Sequence, residues 1–133
     1  MPALKTLLAS YDLAFLRDIA ELWGIELQAS ERRSVLMELA SAMSSRQLFE
    51  EVFGSLPPQA AGALIGLKAL DGKMPWQAFE HAQGELRPMG PARRKREKPH
   101  RFPQNTAERL WYQGFVGRAV LQENETLREF AFI

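Results

Sequence analysis

Residues 105–118 read NTAERLWYQGFVGR and contain a helix start, a helix end and a change of periodicity. Asn105 and Glu108 have the spacing of an N-terminal capping pair, and Gly114 is a typical helix terminator. Beyond it, 116–121 and 127–133 are β-prone runs separated by the polar residues 122–126. This stretch therefore predicts a helix over 105–114 followed by a β-hairpin.

Two further helices are predicted upstream of this stretch. Pro57 and Pro58 break the chain and open a helix over 58–71, and Pro75 opens another over 75–83. Three helices followed by a hairpin is the order of a winged helix, with the wing over 118–133. The connection from the second helix to the third has about twenty residues, whereas a DNA-reading helix-turn-helix uses three or four.

The first 54 residues carry helical patterns only. Asp12 and Gly24 bracket an amphipathic helix, Ser30 is a candidate cap for the next, and Ser44 for a short one after it. We therefore predict a mainly α chain: an all-helical N-terminal lobe over 1–54, then a winged-helix domain over 55–133 with a C-terminal β-hairpin wing. The apolar final residues, 127–133, suggest an N-terminal fragment of a longer chain, although a terminal strand docked in a sheet would look the same.

The helical start has the pattern of a helix-extended-helix unit. Its residues are Leu16, Ile19, Ala20, Trp23, Gly24 and Ile25, then Arg32, Arg33, Leu36, Met37 and Leu39. They resemble SAP-like modules, some of which bind nucleic acid. With the run GELRPMGP at 84–91 and the terminal wing, the chain resembles the helicase-associated N-terminal region of bacterial proteins similar to XPB-type DNA repair helicases. That resemblance implies a non-catalytic module appended to DNA-acting machinery.

The formal net charge of +1 hides a strong local imbalance. Residues 87–101 hold seven basic residues and one acidic residue, whereas residues 1–54 carry a net −3. The segment 85–103 contains four prolines and no regular period, which predicts a long basic loop. It could neutralise phosphates, and it could equally be a solvated loop or one neutralised by the acidic first lobe.

The candidate nucleic-acid-binding residues fall in two groups. The basic segment offers phosphate contacts from Arg87, Arg93, Arg94, Lys95, Arg96, Lys98 and Arg101. The third helix and the wing offer Gln104, Thr106, Arg109, Gln113 and Arg118, some with the bidentate geometry that reads base edges. Asn105 is more simply a helix cap, and Glu108 would repel phosphate.

Several other kinds of site are disfavoured. The absence of cysteine excludes disulfides, thiol nucleophiles and thiolate zinc sites. His81 and His100 have no neighbouring ligand at metal-binding spacing, and no acid, base and nucleophile set is evident. We expect no enzyme activity, no cofactor, no metal and no small-molecule substrate.

The sequence thus predicts a non-catalytic DNA-binding module, appended to a helicase-like or regulatory protein. The alternative is a protein-interaction or dimerisation module that uses the winged helix as a scaffold, because that fold serves both roles. DNA is the expected partner, with a protein partner or self-association as the alternative. No membrane segment is evident, and a cytoplasmic location is expected.

Overall fold

The computed structural model describes the backbone of residues 4–123 and 126–132 and the side chains of residues 7–118. The described chain is mainly helical, which confirms the predicted class. Its first half contains α1 (Leu4–Ala9), α2 (Leu13–Trp23), α3 (Arg32–Met43) and α4 (Arg46–Gly54). Its second half contains α5 (Pro58–Ala69), β1 (Lys73–Pro75), α6 (Trp76–Gln83), α7 (Pro91–Glu97), α8 (Thr106–Tyr112), β2 (Gly117–Glu123) and β3 (Thr126–Phe132).

Two helices begin at the side-chain caps that the sequence predicts. Asp12 accepts a hydrogen bond from the Phe15 amide at 2.8 Å, and α2 ends at Gly24, where φ is 69°. Asn105 accepts from the Glu108 amide at 2.9 Å and caps α8. The starts of α2 and α8 are therefore determined by residues close in sequence.

Two predicted caps are displaced by one residue. Helix α3 begins after Glu31 instead of Ser30. Helix α4 is capped by Ser45, whose hydroxyl accepts from the Leu48 amide at 3.4 Å, and not by Ser44. The backbone decides between the two serines: Ser45 is extended, as a cap must be, whereas Ser44 still has helical torsion angles at the end of α3.

The C-terminal hairpin forms, and its strands extend further than predicted. Pairing between β2 and β3 runs from Gly117 opposite Phe132 to Glu123 opposite Thr126, so most of the predicted polar turn at 122–126 belongs to the strands. The sequence also missed β1, which pairs with β3 and gives an antiparallel sheet in the order β1-β3-β2. A three-residue strand ending in Pro75 has no alternation to detect.

Buried apolar side chains from both halves form one cluster. Its members include Leu16, Ile19, Trp23, Leu39, Leu64, Phe79, Leu110 and Phe115. Trp23 Nε1 donates to the Gln113 carbonyl oxygen at 2.7 Å, and the Trp23 and Phe115 ring centroids lie 5.3 Å apart. The boundary predicted near residue 55 therefore does not separate two cores. Because a lobe of 54 residues can bury little surface by itself, packing of the halves against each other supplies the missing burial.

Helix α8 contacts α2, α5 and α6. Four of its seven residues, Ala107, Glu108, Leu110 and Tyr112, are buried. The third helix of the predicted winged helix is thus part of the core, and few of its side chains reach solvent.

Candidate nucleic-acid interface

The basic segment is helical over part of its length, so the loop predicted over 85–103 is wrong for residues 91–97. Pro91 occupies the first turn of α7, where its missing N–H costs no hydrogen bond. The following residues are good helix formers, and Arg93 pairs with Glu97 one turn later. None of the seven residues of α7 is buried, so the helix has no apolar period to reveal it in the sequence.

Arg94 attaches α7 to the first lobe. Its Nη2 donates to Asp12 Oδ2 at 2.6 Å, and its guanidinium carbon lies 5.0 Å from the centroid of the Phe15 ring. Only 12% of the Arg94 side chain is exposed. Burial raises the pKa of Asp12, but hydrogen bonds from the Phe15 amide and Arg94 outweigh it, and the net pKa is below its ordinary value. Arg94 therefore docks α7 onto the first lobe and is not one of the solvent-exposed cations of the segment.

Glu21 of α2 makes a second attachment just beyond α7. Arg101 donates to both Glu21 carboxylate oxygens, with its Nε 2.8 Å from Oε2. His100 is 7% exposed, and its Nε2 lies 2.8 Å from the same oxygen, while its Nδ1 lies 3.6 Å from Asp18 Oδ2. Among the described residues, no three histidine or carboxylate side chains are arranged to hold a metal ion.

The hydrogen bonds to Glu21 contribute to stability in a way that depends on pH. The hydrogen bond from Arg101 is the largest cause that lowers the pKa of Glu21, to about 2 from an ordinary 4.5. A folded-state pKa below the unfolded one stabilises the fold fully above about pH 4.5, and this contribution fades as the pH falls toward about 2. We expect Glu21→Gln to lower the free energy of unfolding near neutral pH, and its deficit relative to wild type to shrink below about pH 4.5. Urea unfolding of both proteins across this range tests it, and a deficit independent of pH would contradict it.

Arg87 forms the most buried ion pair of the segment. Its Nε and Nη2 donate to the two Glu108 carboxylate oxygens, each at 2.8 Å, and its backbone amide donates to Oε2 at 2.9 Å. The amide of Gln104 donates to Oε1 at 2.9 Å. The Glu108 side chain is fully buried, so the predicted repulsion of phosphate by Glu108 is replaced by a structural role. Burial raises the pKa of Glu108, but the bonds from Arg87 and the Gln104 amide outweigh it and lower it overall.

Three cations of the segment face solvent. Lys95, Arg96 and Lys98 are exposed, and within the described part of the chain no carboxylate pairs with them. We call these three side chains the α7 cationic surface. Arg93 is also exposed, but its pair with Glu97 offsets its charge. The predicted patch of seven cations is thus reduced to three that remain available: Lys95 and Arg96 on α7, and Lys98 at its C-cap.

The polar residues predicted on the third helix are not equally accessible. Gln104 is exposed, Thr106 and Arg109 are half-buried, and Gln113 is only 9% exposed. The burial of Gln113 follows from its place beside Trp23, whose indole binds its carbonyl oxygen. Arg118 on β2 is exposed, and its guanidinium carbon lies 4.8 Å from the centroid of the Trp76 ring. Because Gln113 is buried, its side chain cannot contact base edges in this conformation.

The residues that sequence reasoning missed are the carboxylates that hold the basic segment. Asp12, Glu21 and Glu108 select which arginines are occupied, and the first two lie about 80 positions from their partners. Only the net −3 of the first lobe pointed toward this docking. Charge totals indicate that pairing is possible but do not identify the partners.

Comparisons with models of protein families, with characterised proteins and with solved structures gave no match for this chain. The function of the chain is therefore inferred from its own geometry. Among the helices that the structure describes, none has the length and apolar character needed to cross a membrane.

Proposed function

We propose that the chain is a non-catalytic nucleic-acid-binding module whose α7 cationic surface contacts the phosphate backbone. The observation that carries this proposal is that the cations of residues 87–101 fall into a paired group and an unpaired group. Arg87, Arg94 and Arg101 pair with carboxylates of the fold, and Lys95, Arg96 and Lys98 do not. Because Arg94 docks the helix, the three exposed cations are presented from an ordered element, which reduces the entropy lost on binding.

A winged-helix scaffold for residues 55–133 is part of the proposal. It is supported by the order α5, β1, α6, α8, β2, β3 and by the antiparallel sheet order β1-β3-β2. Helix α7 then lies in an insertion between the second and third helices of the motif. The insertion would add a phosphate-binding element to the motif.

The mode of binding follows from the burial of α8. Its position against α2 leaves Gln104, Thr106 and Arg109 as the accessible polar side chains near its N-terminus. Contacts to phosphate from the α7 cationic surface give affinity without sequence information. We therefore propose salt-dependent binding with little base preference.

A SAP-like start is a further part of the proposal. Helices α2 and α3, joined by the non-helical residues 25–31, are consistent with the SAP-like pattern of the sequence. On that basis we propose that the module is of the helicase-associated kind and is appended to DNA-acting or regulatory machinery.

The first test is binding to fluorescently labelled duplex DNA, measured by anisotropy at about 50 mM salt. The triple variant Lys95→Gln, Arg96→Gln, Lys98→Gln is expected to bind at least about tenfold more weakly than wild type, because three phosphate contacts are lost. The matched control is Arg17→Gln, Arg33→Gln, Lys68→Gln, which removes three exposed cations elsewhere and should bind as wild type. Absence of wild-type binding, or equal losses in both variants, would contradict the proposal.

A protein-interaction module is the second candidate. Ile65 and Leu70 of the α5 region are 61% and 54% exposed, unusual for large aliphatic side chains. A mass that rises with concentration in light scattering, and that falls with Ile65→Ser, would support this function. DNA binding that persists in Ile65→Ser would show that the two surfaces are separate.

A further inference from the structure

A second feature lies apart from the α7 cationic surface, on the aromatic side of Arg94. A cavity of about 310 Å³ opens where the link between α1 and α2 meets α7, α8 and the start of β2. This volume is at the lower end of the range of small-ligand pockets, about 300–1,000 Å³. Lys95, Arg96 and Lys98 do not line it.

The walls combine guanidinium groups with aromatic rings. Arg87, Arg94 and Arg118 line the cavity, and Asp12 is the only carboxylate among the described residues that line it. The rings of Tyr11 and Phe15 stack at 4.2 Å between centroids, and the half-buried Trp111 meets Tyr11 edge-on at 6.0 Å. Guanidinium groups thus lie beside a half-buried aromatic ring, that of Trp111.

Some residues that line this cavity have hydrogen-bond donors without an acceptor in the described fold. The Tyr11 hydroxyl is buried and has no partner within the described chain, and Tyr11 as a whole is 8% exposed. Arg94 uses Nη2 on Asp12, but its Nε and Nη1 are likewise buried without a partner. Burial raises the pKa of Tyr11, so its hydroxyl keeps its proton and remains a donor at neutral pH.

Unsatisfied buried donors are costly, and a fold without a use for the Tyr11 hydroxyl would be served better by phenylalanine. The group that satisfies such donors beside arginines is an oxyanion, because it accepts several charge-assisted hydrogen bonds. A planar ring on the same ligand could contact Trp111, since aromatic side chains favour stacking with bases.

We infer that this cavity binds a nucleotide, with its phosphate at Tyr11 and Arg94 and its base against Trp111. The nucleotide can be free or can be the 5′-phosphorylated end of a strand, since both offer the same chemistry. This site is independent of the duplex-binding surface proposed above, and the two can succeed or fail separately.

Calorimetric titration tests the site with five probes: AMP, adenosine, inorganic phosphate, and a short single strand with and without a 5′-phosphate. Wild type is expected to bind AMP more tightly than adenosine or inorganic phosphate. If the strand end is the source, the phosphorylated strand binds more tightly than the unphosphorylated one, and the difference persists in the triple variant of the α7 cationic surface. If neither AMP nor the phosphorylated strand binds, or if adenosine or inorganic phosphate binds as tightly as AMP, the inference is overturned.

Tyr11→Phe is the decisive variant, because it removes the orphaned hydroxyl and no hydrogen bond of the described fold. Its affinity for AMP is expected to fall about tenfold or more, which corresponds to one hydrogen bond to a charged group. Its melting temperature without ligand is expected to equal or exceed that of wild type, so failure to fold cannot explain the loss. The triple variant of the α7 cationic surface serves as control and should bind AMP as wild type. Wild-type AMP affinity in Tyr11→Phe would contradict the assignment.

Discussion

Glu108→Ala is expected to lower the free energy of unfolding by about 3 kcal/mol. Removing one partner of a buried ion pair costs about 3–5 kcal/mol, and the lower end applies here because 27% of the Arg87 side chain is exposed. The change also leaves the amides of Arg87 and Gln104 without their acceptor. The loss is measured by urea unfolding followed by circular dichroism.

Glu108→Gln separates charge from shape in the same position. The amide keeps the volume and one acceptor oxygen but not the charge, so its loss of stability should fall between wild type and Glu108→Ala. Arg46 and Glu50 form an exposed pair one helical turn apart, and Glu50→Ala should change stability by less than about 1 kcal/mol. If Glu108→Ala costs no more than Glu50→Ala, the Arg87–Glu108 pair does not organise the segment.

Gly84→Ala is expected to cost about 3 kcal/mol. Gly84 has φ of 104° and ψ of 162°, a conformation that only glycine adopts readily, and strain there amounts to about 1–3 kcal/mol. An added Cβ would lie 2.5 Å from Asn105 Cγ, so the side chain that caps α8 must move. Loss of that cap costs about 1 kcal/mol more. Equilibrium unfolding in urea measures the sum.

The matched control is Gly66→Ala in α5. Gly66 is helical, and a Cβ built there meets nothing within 4 Å. Alanine is the better helix former, so this variant should gain about 0.5–1 kcal/mol. Two glycine-to-alanine changes of opposite sign would confirm that the Gly84 site is restricted by its backbone and by Asn105. Equal effects would contradict it.

Local signals predicted the helices well. Asp12 and Asn105 cap α2 and α8 as expected, because a cap depends on residues only three positions apart. Strand β1 was missed, since its pairing with β3 is a long-range event that leaves no mark on three residues. Helix α7 was missed because it buries no apolar residue and therefore shows no apolar stripe in the sequence.

The candidate site was predicted in position but not in detail. Composition alone located the basic segment, and the acidic first lobe indicated a possible countercharge. Which arginines are occupied depends on contacts such as Arg94 with Asp12, which join residues 82 positions apart. The cavity beside Tyr11 was not predicted either, because its lining residues come from segments far apart in the sequence.

The central claim is that three cations, Lys95, Arg96 and Lys98, contact phosphates while the other arginines of the segment hold the fold together. The most direct measurement is the dependence of duplex affinity on salt between about 50 and 200 mM. Each phosphate contact contributes about 0.9 to the slope of log K against log salt, so the triple glutamine variant should be shallower than wild type by about 2.7. The control that neutralises Arg17, Arg33 and Lys68 should parallel wild type. Equal slopes for wild type and the α7 variant would contradict the account.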